Sequence, residues 1–362
     1  MKKSEKQFLF DVLDTPSPSG FEAEGQRKWA GYVRSFVDQV ENDHYGNTWG
    51  TLEGSKAGPR LMLEAHADEI GFMISYITDD GFIRINRIGG SDRAIVRGRI
   101  VRLLGDKGEV TGVIGNTAIH IREATDTKIP KWEDVFIDVG AKDKKAILNM
   151  GLRVGHPIVF AESAREIGKT RLVGRALDNR IGGYIIAQVM SRLSKEAKRT
   201  KKKLPCTVYA VNAVQEEIGG NGARMVTYRL KPTVAVVLDV THATDSPGIS
   251  TSKHGDVKLG GGPALTHGTA NHPAVVKRLM EVAEKEGINI QHEASSRYTG
   301  TDTDDVFVSR AGVPSALVSL PMRYMHSTVE MVDQSDMEDV IKLLTAFSRS
   351  IKASDKFMAK IA

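Results

Sequence analysis

The feature that most limits the fold is a change of texture in the first half of the chain. From 71 to 164, short alternating segments (FMISYI, FIRINRI, RIVRLL, EVTGVIG, VFIDVG) are separated by Gly and Asp turns. Alternation with a period of two puts every second side chain on one face. A run of such segments without helices between them builds a small β-barrel rather than βαβ units. On either side, apolar strands alternate with amphipathic helices, the pattern of a layered α/β domain. Residues 1–70 and 165–362 are therefore read as one α/β domain, with residues 71–164 inserted into it as a β-barrel. A chain of 362 residues is long enough for one large core and a second smaller one.

Within the α/β part, the sharpest chemical signal is VYAVNAVQEEIGG at 208–220, an apolar strand running out into Glu216 and Glu217 and a glycine pair. Neighbouring strand residues point to opposite faces, so adjacent glutamates can serve one site only if the strand is ending there. Strand ends are where α/β sheets place ligands. One glutamate holding a metal and the other handling a proton is the chemical reading, and two solvated glutamates is the plain one. Other strand ends shift the balance. The strand RLMLEAHAD at 60–68 ends in His66 and Asp68, two residues apart and on one side, an arrangement in which the carboxylate can orient the imidazole. Asp178 stands where a strand-like segment gives way to a long amphipathic helix, and its plain role is a helix N-cap. The strand TVAVVLD at 233–239 ends in Asp239, and the apolar strand at 315–320 runs into PMRYMHS, delivering His326.

Two imidazoles with three carboxylates suit a pair of borderline divalent ions, zinc or cobalt, better than calcium or magnesium, which prefer oxygen alone. If one carboxylate bridges, each ion receives three protein ligands and keeps an open position. Glu216 is then free to take a proton from water. The other histidines lack this setting. His120 and His156 fall in the inserted block, His242, His254, His267 and His272 read as loop residues, and His44 sits in a turn.

The chemistry must be compatible with the bulk. The net charge of +5 is concentrated in SKEAKRTKKK at 194–203, a solvated helix end with no interleaved aromatics, so nucleic acid is not expected as a partner. The single cysteine, Cys206, leaves no intramolecular disulfide and fits a reducing cytoplasm. No stretch approaches the roughly twenty apolar residues of a membrane span. Asp11 and Asp14 interrupt the apolar patch near the N-terminus, which reads as an amphipathic helix rather than a leader.

Several blocks together carry a resemblance: AHADEIGF from Ala65, IGGSDRAIVRGR after Arg87, GVIG from Gly112, FIDVGA from Phe136, GRALDNRIGG from Gly174, VQEEIGGNGA from Val214, LDVTHA from Leu238 and GVPSALVSLPMRYMHS from Gly312. In these blocks, which span nearly the whole chain, the sequence resembles the dinuclear metallo-aminopeptidases that assemble into tetrahedral particles. That family includes glutamyl, leucyl and deblocking aminopeptidases, and some relatives carry an endoglucanase name. The resemblance implies His66, Asp178 and Asp239 on one metal and Asp178, Glu217 and His326 on the other, with Asp178 bridging. It implies Glu216 as general base and Asp68 as the carboxylate orienting His66. It further implies a mixed-sheet α/β/α metallopeptidase domain, an inserted barrel making dimer contacts, and a hollow dodecamer of six dimers that admits short peptides. A cis peptide bond between Asp178 and Asn179 is expected on the same ground. Thr303, Asp304 and Asp305 depart from the small residue usual after the GTD of that loop, and GNTAIH at 115–120 departs from a proline-rich form; both bear on substrate preference. Two alternatives stay open: an N-acyl hydrolase on the same site, and an endoglucanase-type glycosidase, against which stand the few aromatic residues, only three of them tryptophan. A preference for acidic N-terminal residues would need a cationic pocket, for which Arg87, Arg93, Lys253 and Arg297 are candidates.

Overall fold

In the computed structural model, which describes residues 1–123, 128–359 and 361, four strands buried almost throughout form the centre of the large sheet. In spatial order these are Thr207–Ala213, Arg60–His66, Val234–His242 and Ser315–Met322, all parallel. Parallel strands need cover on both faces, which is why Val, Leu and Ala dominate both sides of them. Thr48–Leu52 and Gln39–Asn42 extend one edge antiparallel, while Ala264–His267 and Gln291–Ala294 complete the other, giving a mixed sheet of eight strands. The strand that follows Arg60–His66 in the α/β domain lies on one side of it and the next lies on the other. The order therefore reverses at the His66 strand, the position at which open α/β sheets form a ligand crevice.

One face of the sheet is covered by the helix Leu177–Thr200 together with Lys3–Asp14, Ala23–Val33, Pro273–Glu286 and Gln334–Ser350. In Leu177–Thr200, Ile181, Ile185, Val189 and Leu193 recur every fourth residue and are fully buried against Leu63, Val236 and Val318 of the same core. Each contributes about 1.5–3 kcal/mol by leaving water. The helix ends at Lys201 in the left-handed region, and Lys198 and Arg199 in its last turn complement the dipole. Asn221–Leu230 and Thr303–Val306 cover the opposite face over a smaller core of Met62, Val211, Val226 and Leu317.

The six antiparallel strands Gly71–Ile77, Phe82–Ile88, Phe136–Asp138, Gly108–Ile114, Ile100–Gly105 and Pro157–Phe160 close, in that order, into a barrel with its own core of Phe72, Ile83, Leu103, Ile137 and Ile158. Closure leaves no free sheet edge. Gly112 is required on its wall, since a Cβ there would meet Ile137 at 2.7 Å and Leu103 at 2.9 Å. After the barrel and before the long helix the chain forms Arg165–Ile167 and Arg171–Gly174, which Glu330–Asp333 from near the C-terminus joins in a small antiparallel sheet. No helix of the described residues is long and apolar enough to cross a membrane.

Candidate metal centre

The carboxyl ends of the central strands converge. His66 closes its strand level with Ala213 of the neighbour, and Asp239 stands at the same height on the other side, two residues beyond the pair formed by Val237 and Glu64. The strand Thr207–Ala213 stops because Asn47 takes the Val214 N–H with its side-chain oxygen (3.0 Å) and Gln215 turns to a φ of 62°. Glu216 and Glu217 therefore sit in the turn just beyond the strand, free of the alternation that would separate them. His326 lies four residues past the end of Ser315–Met322, also at positive φ (58°). Non-glycine residues in that region are uncommon and cluster at functional sites.

Asp178 does not cap the long helix. Its backbone and that of Asn179 are not helical, the peptide between them is cis, and the capping contact is made by Asn179, whose Oδ1 accepts the Gly182 N–H at 3.1 Å. The Asn179 side-chain amide also donates to the Leu238 carbonyl at 2.7 Å. With Asn179 serving the helix, the Asp178 carboxylate projects between the two imidazoles. His66 Nε2 lies 3.2 Å from Asp178 Oδ1, and His326 Nε2 lies 3.4 Å from Asp178 Oδ2. Asp239 is 3.7 Å and Glu216 3.8 Å from His66 Nε2, while Glu217 is 3.4 Å from His326 Nε2. Two groups, His66 with Asp178 and Asp239, and Asp178 with Glu217 and His326, each bring three donor atoms within 4.8 Å of one another. They share Asp178.

Asp68 lies beneath this cluster. Its Oδ1 is 3.5 Å from His66 Nδ1, and its two oxygens accept the N–H groups of Glu216 (3.0 Å) and Glu217 (3.2 Å). Ser19 donates a further hydrogen bond at 2.5 Å. One buried carboxylate thus orients the imidazole and the turn that carries both glutamates.

The electrostatics are those of an acid cluster short of positive charge. Burial, with Asp239, Asp302 and Asp178 adding to it against His66, pushes Glu216 up to about 10. Burial and Asp178 raise Glu217 well above the ordinary carboxylate range, and burial raises Asp239. Burial also resists ionisation of Asp178, but His326 and His66 overcome it and hold that carboxyl low. Burial alone would lower the His66 pKa; its hydrogen bonds with Asp178, Asp239 and Asp68 raise it instead. Among the described residues the two imidazoles are the only cationic partners of these acids. Nitrogen and oxygen donors that converge around unneutralised negative charge fit divalent ions of the zinc and cobalt class.

Residues outside the sequence-level set also shape the centre. Glu330 is fully buried, and its oxygens accept the N–H groups of Asp178 (3.1 Å) and His326 (3.0 Å), tying the two together. The signal for it was only an acid four residues after His326. The barrel contributes too: a Cβ on Gly90 would lie 2.6 Å from the His326 ring, and one on Gly89 would lie 3.2 Å from Glu217. Only glycines let this loop close over the site. A cavity of about 540 Å³ opens onto the cluster, and its wall includes Thr241, His242, Thr299, Thr301 and Asp304. His242 ends a strand and lines this cavity, and His267 ends another, so neither is the loop residue that the sequence implied. The central strand runs three residues past Asp239, kept in the sheet by its pairing with Ser315–Met322. Of the candidate cations, Arg87, Arg93 and Lys253 do not line this cavity and Arg297 lines only a neighbouring one.

The chain is similar to known proteins in sequence and in fold. The family model described as M42 glutamyl aminopeptidase matches residues 46–343. The lysyl aminopeptidase of Pyrococcus furiosus is 34% identical over 355 residues, 96% of this chain and 98% of the relative. The solved structure of an aminopeptidase from the archaeon Desulfurococcus kamchatkensis superimposes with a TM-score of 0.89 at 34% identity, over 97% of this chain and 96% of that one. The Pyrococcus horikoshii TET1 peptidase, which can assemble into a tetrahedron or a large octahedral shell, superimposes with a TM-score of 0.85 at 28% identity, over 96% of this chain and all of its own.

Proposed function

The chain belongs to the M42 glutamyl aminopeptidase family, and from that premise we propose that it is a dinuclear metal-dependent aminopeptidase that trims N-terminal residues from short peptides. His66, Asp178 and Asp239 would hold one ion and Asp178, Glu217 and His326 the other. The observation that carries this reading is the pair of three-donor groups sharing Asp178, with Glu216 beside them. Bound there, zinc or cobalt supplies the Lewis acidity that lowers the pKa of a water and polarises a carbonyl. Glu216 takes the proton of the attacking water and passes it to the departing amine. Its carboxyl, pushed up to about 10 by burial and the neighbouring acids despite His66, would be brought into the range of a working base by the added positive charge of a bound metal. Asp68 fixes the His66 ring and the turn of the two glutamates, and Glu330 fixes the backbones of Asp178 and His326.

Among the described residues the wall of this cavity holds no Phe, Tyr or Trp and the adjoining one holds only Tyr298, so a sugar ring has little to stack on, and this favours a peptide over a glucan. Assembly into a homo-oligomer, a dodecamer built from dimers through the barrel, is supported by the exposed Ile119 (74%) and Ile121 (79%) at the barrel surface. The test is a panel of aminoacyl chromogenic amides and carboxymethylcellulose, assayed after chelation and after readdition of zinc, cobalt or manganese. Amide hydrolysis should vanish on chelation and return with metal, and the glucan should stay intact. Glu216→Gln should lower kcat about 10²–10⁴-fold while metal content stays near that of the parent. Full activity in demetallated protein would refute the proposal.

A further inference from the structure

We infer that this site selects peptides whose N-terminal residue carries a cationic side chain, lysine or arginine, and that Glu293 makes the selection. The inference rests on the aminopeptidase reading of the metal cluster. A second cavity of about 330 Å³ adjoins the first and shares Val240, Thr241, Thr299 and Thr301 with it. Glu293, on the edge strand Gln291–Ala294, lines that second cavity. Its Oε1 accepts a hydrogen bond from the Thr241 hydroxyl, and its Oε2 lies 3.5 Å from Thr266 Oγ1. Burial pushes its pKa up and the two hydroxyls only partly offset this. No Lys, Arg or His stands within ion-pair distance of it among the described residues.

The other acids at the mouth are already matched. Asp304 accepts the N–H groups of Thr299 and Gly300 at 2.9–3.1 Å, and Asp305 pairs with Arg224. Glu293 is the carboxylate whose charge is met only by hydroxyls, and a desolvated carboxylate gains most from a charged donor. The distance is also right. Asp239 and Thr241 lie on one face of one strand, about 6.6 Å apart at the usual rise. A peptide whose reacting carbonyl sits at the Asp239 end can run its first side chain toward Thr241, with an aliphatic stem along Leu317 and a cationic head at Glu293. An acidic side chain would find no Lys or Arg in the main cavity, and would meet only Arg297 on the wall of the second one.

The test compares kcat/KM for lysyl, norleucyl, leucyl and glutamyl chromogenic amides with the metal-loaded full-length protein and its Glu293→Gln and Glu293→Lys variants. Norleucine keeps the length of lysine and lacks the charge, so the lysyl-to-norleucyl ratio reads charge recognition alone. The parent should favour lysyl over both norleucyl and glutamyl by about tenfold or more. Glu293→Gln should cut the lysyl-to-norleucyl ratio by about tenfold or more, and Glu293→Lys should move preference toward glutamyl. A parent that favours glutamyl, or treats lysyl and norleucyl alike, overturns the inference without any variant. A ratio in Glu293→Gln within about twofold of the parent overturns it as well. If a Glu293 variant fails to fold, Thr241→Val, which removes the hydroxyl that holds the carboxylate in place and favours its ionised form, must lower the same ratio. Hydrolysis of norleucyl and leucyl amides without a lysyl preference defeats the selectivity alone. Inactivity on all four amides defeats the aminopeptidase reading and this inference with it.

Discussion

Two buried charge clusters stand side by side, and they are built on opposite plans. Asp68 and Glu69 are adjacent, and so nearly are Asp178 and Arg180, yet each pair is divided between the clusters. Glu69 is bonded to Arg175, accepts the Ser17 N–H at 2.8 Å and lies 3.9 Å from Arg180. The two guanidiniums spend their remaining donors on carbonyls: Arg180 on Val12 (2.7 Å) and Thr15 (2.9 Å), Arg175 on Asp14 (3.0 Å). Burial pulls Arg180 down to about 10, but it keeps its charge at neutral pH. That cluster is complete, and it fastens the N-terminal helix to the long helix. The cluster a few residues away gathers Asp68, Asp178, Glu216, Glu217 and Asp239 around two imidazoles. The chain supplies arginines where the fold is fastened, and among the described residues it places none within ion-pair distance of the acids at the strand ends.

That contrast can be broken by experiment. Glu69→Gln should cost about 3–5 kcal/mol in urea unfolding, because it strands buried guanidiniums. Metal content per folded molecule should stay at the parent level, and a loss of metal equal to that of a ligand variant would erase the distinction. Asp68→Asn should do the reverse: a competition titration should find metal affinity weakened about 10–100-fold, since the imidazole and the glutamate turn lose their guide. Unchanged affinity would make Asp68 part of the structural cluster.

A third buried acid sharpens the comparison with the smallest effect. Asp336 makes no ion pair among the described residues, feels Arg171 only at a distance, and accepts the N–H groups of Gly260 (2.7 Å) and Gly262 (2.8 Å). Burial raises its pKa from 3.8 to about 6 despite those bonds. The folded state therefore favours the protonated form, and the stability this brings is present in full below the unfolded pKa and lost as pH rises through the folded one. Relative to the parent, Asp336→Asn should gain about 1–2 kcal/mol between about pH 4 and about pH 7, because it lacks this loss. A pH-independent difference between the two unfolding curves would show that the two N–H groups fully compensate the charge.

The sequence made the centre legible where chemistry coincides with a strand end. His66, Asp239 and the glutamate pair follow buried strands whose termination is written in the residues beside them, and the texture of residues 71–164 announced the barrel. What stayed hidden depends on pairings across long stretches of chain. Glu330 matters because its strand pairs with Arg171–Gly174, which delivers Asp178 within reach of it. Asn179 takes the capping role that was the plain alternative for Asp178, a choice decided by the Leu238 carbonyl on another strand. Glu293 gave no signal, since its strand is a short edge of the sheet with exposed neighbours and its cavity exists only once Thr241 and Thr266 face it.

The glycine pair that the barrel lays against the His326 ring has a bearing on how the protein matures. Of all the members of the cluster His326 is the last to be synthesised, long after the barrel strands have emerged. Its half of the centre cannot be finished earlier than the final quarter of the chain, and by then the wall it must dock against can already be standing. A ribosome-bound chain short of that histidine would carry only the first of the two three-donor groups, so the second is completed only once the last tenth or so of the chain is being made.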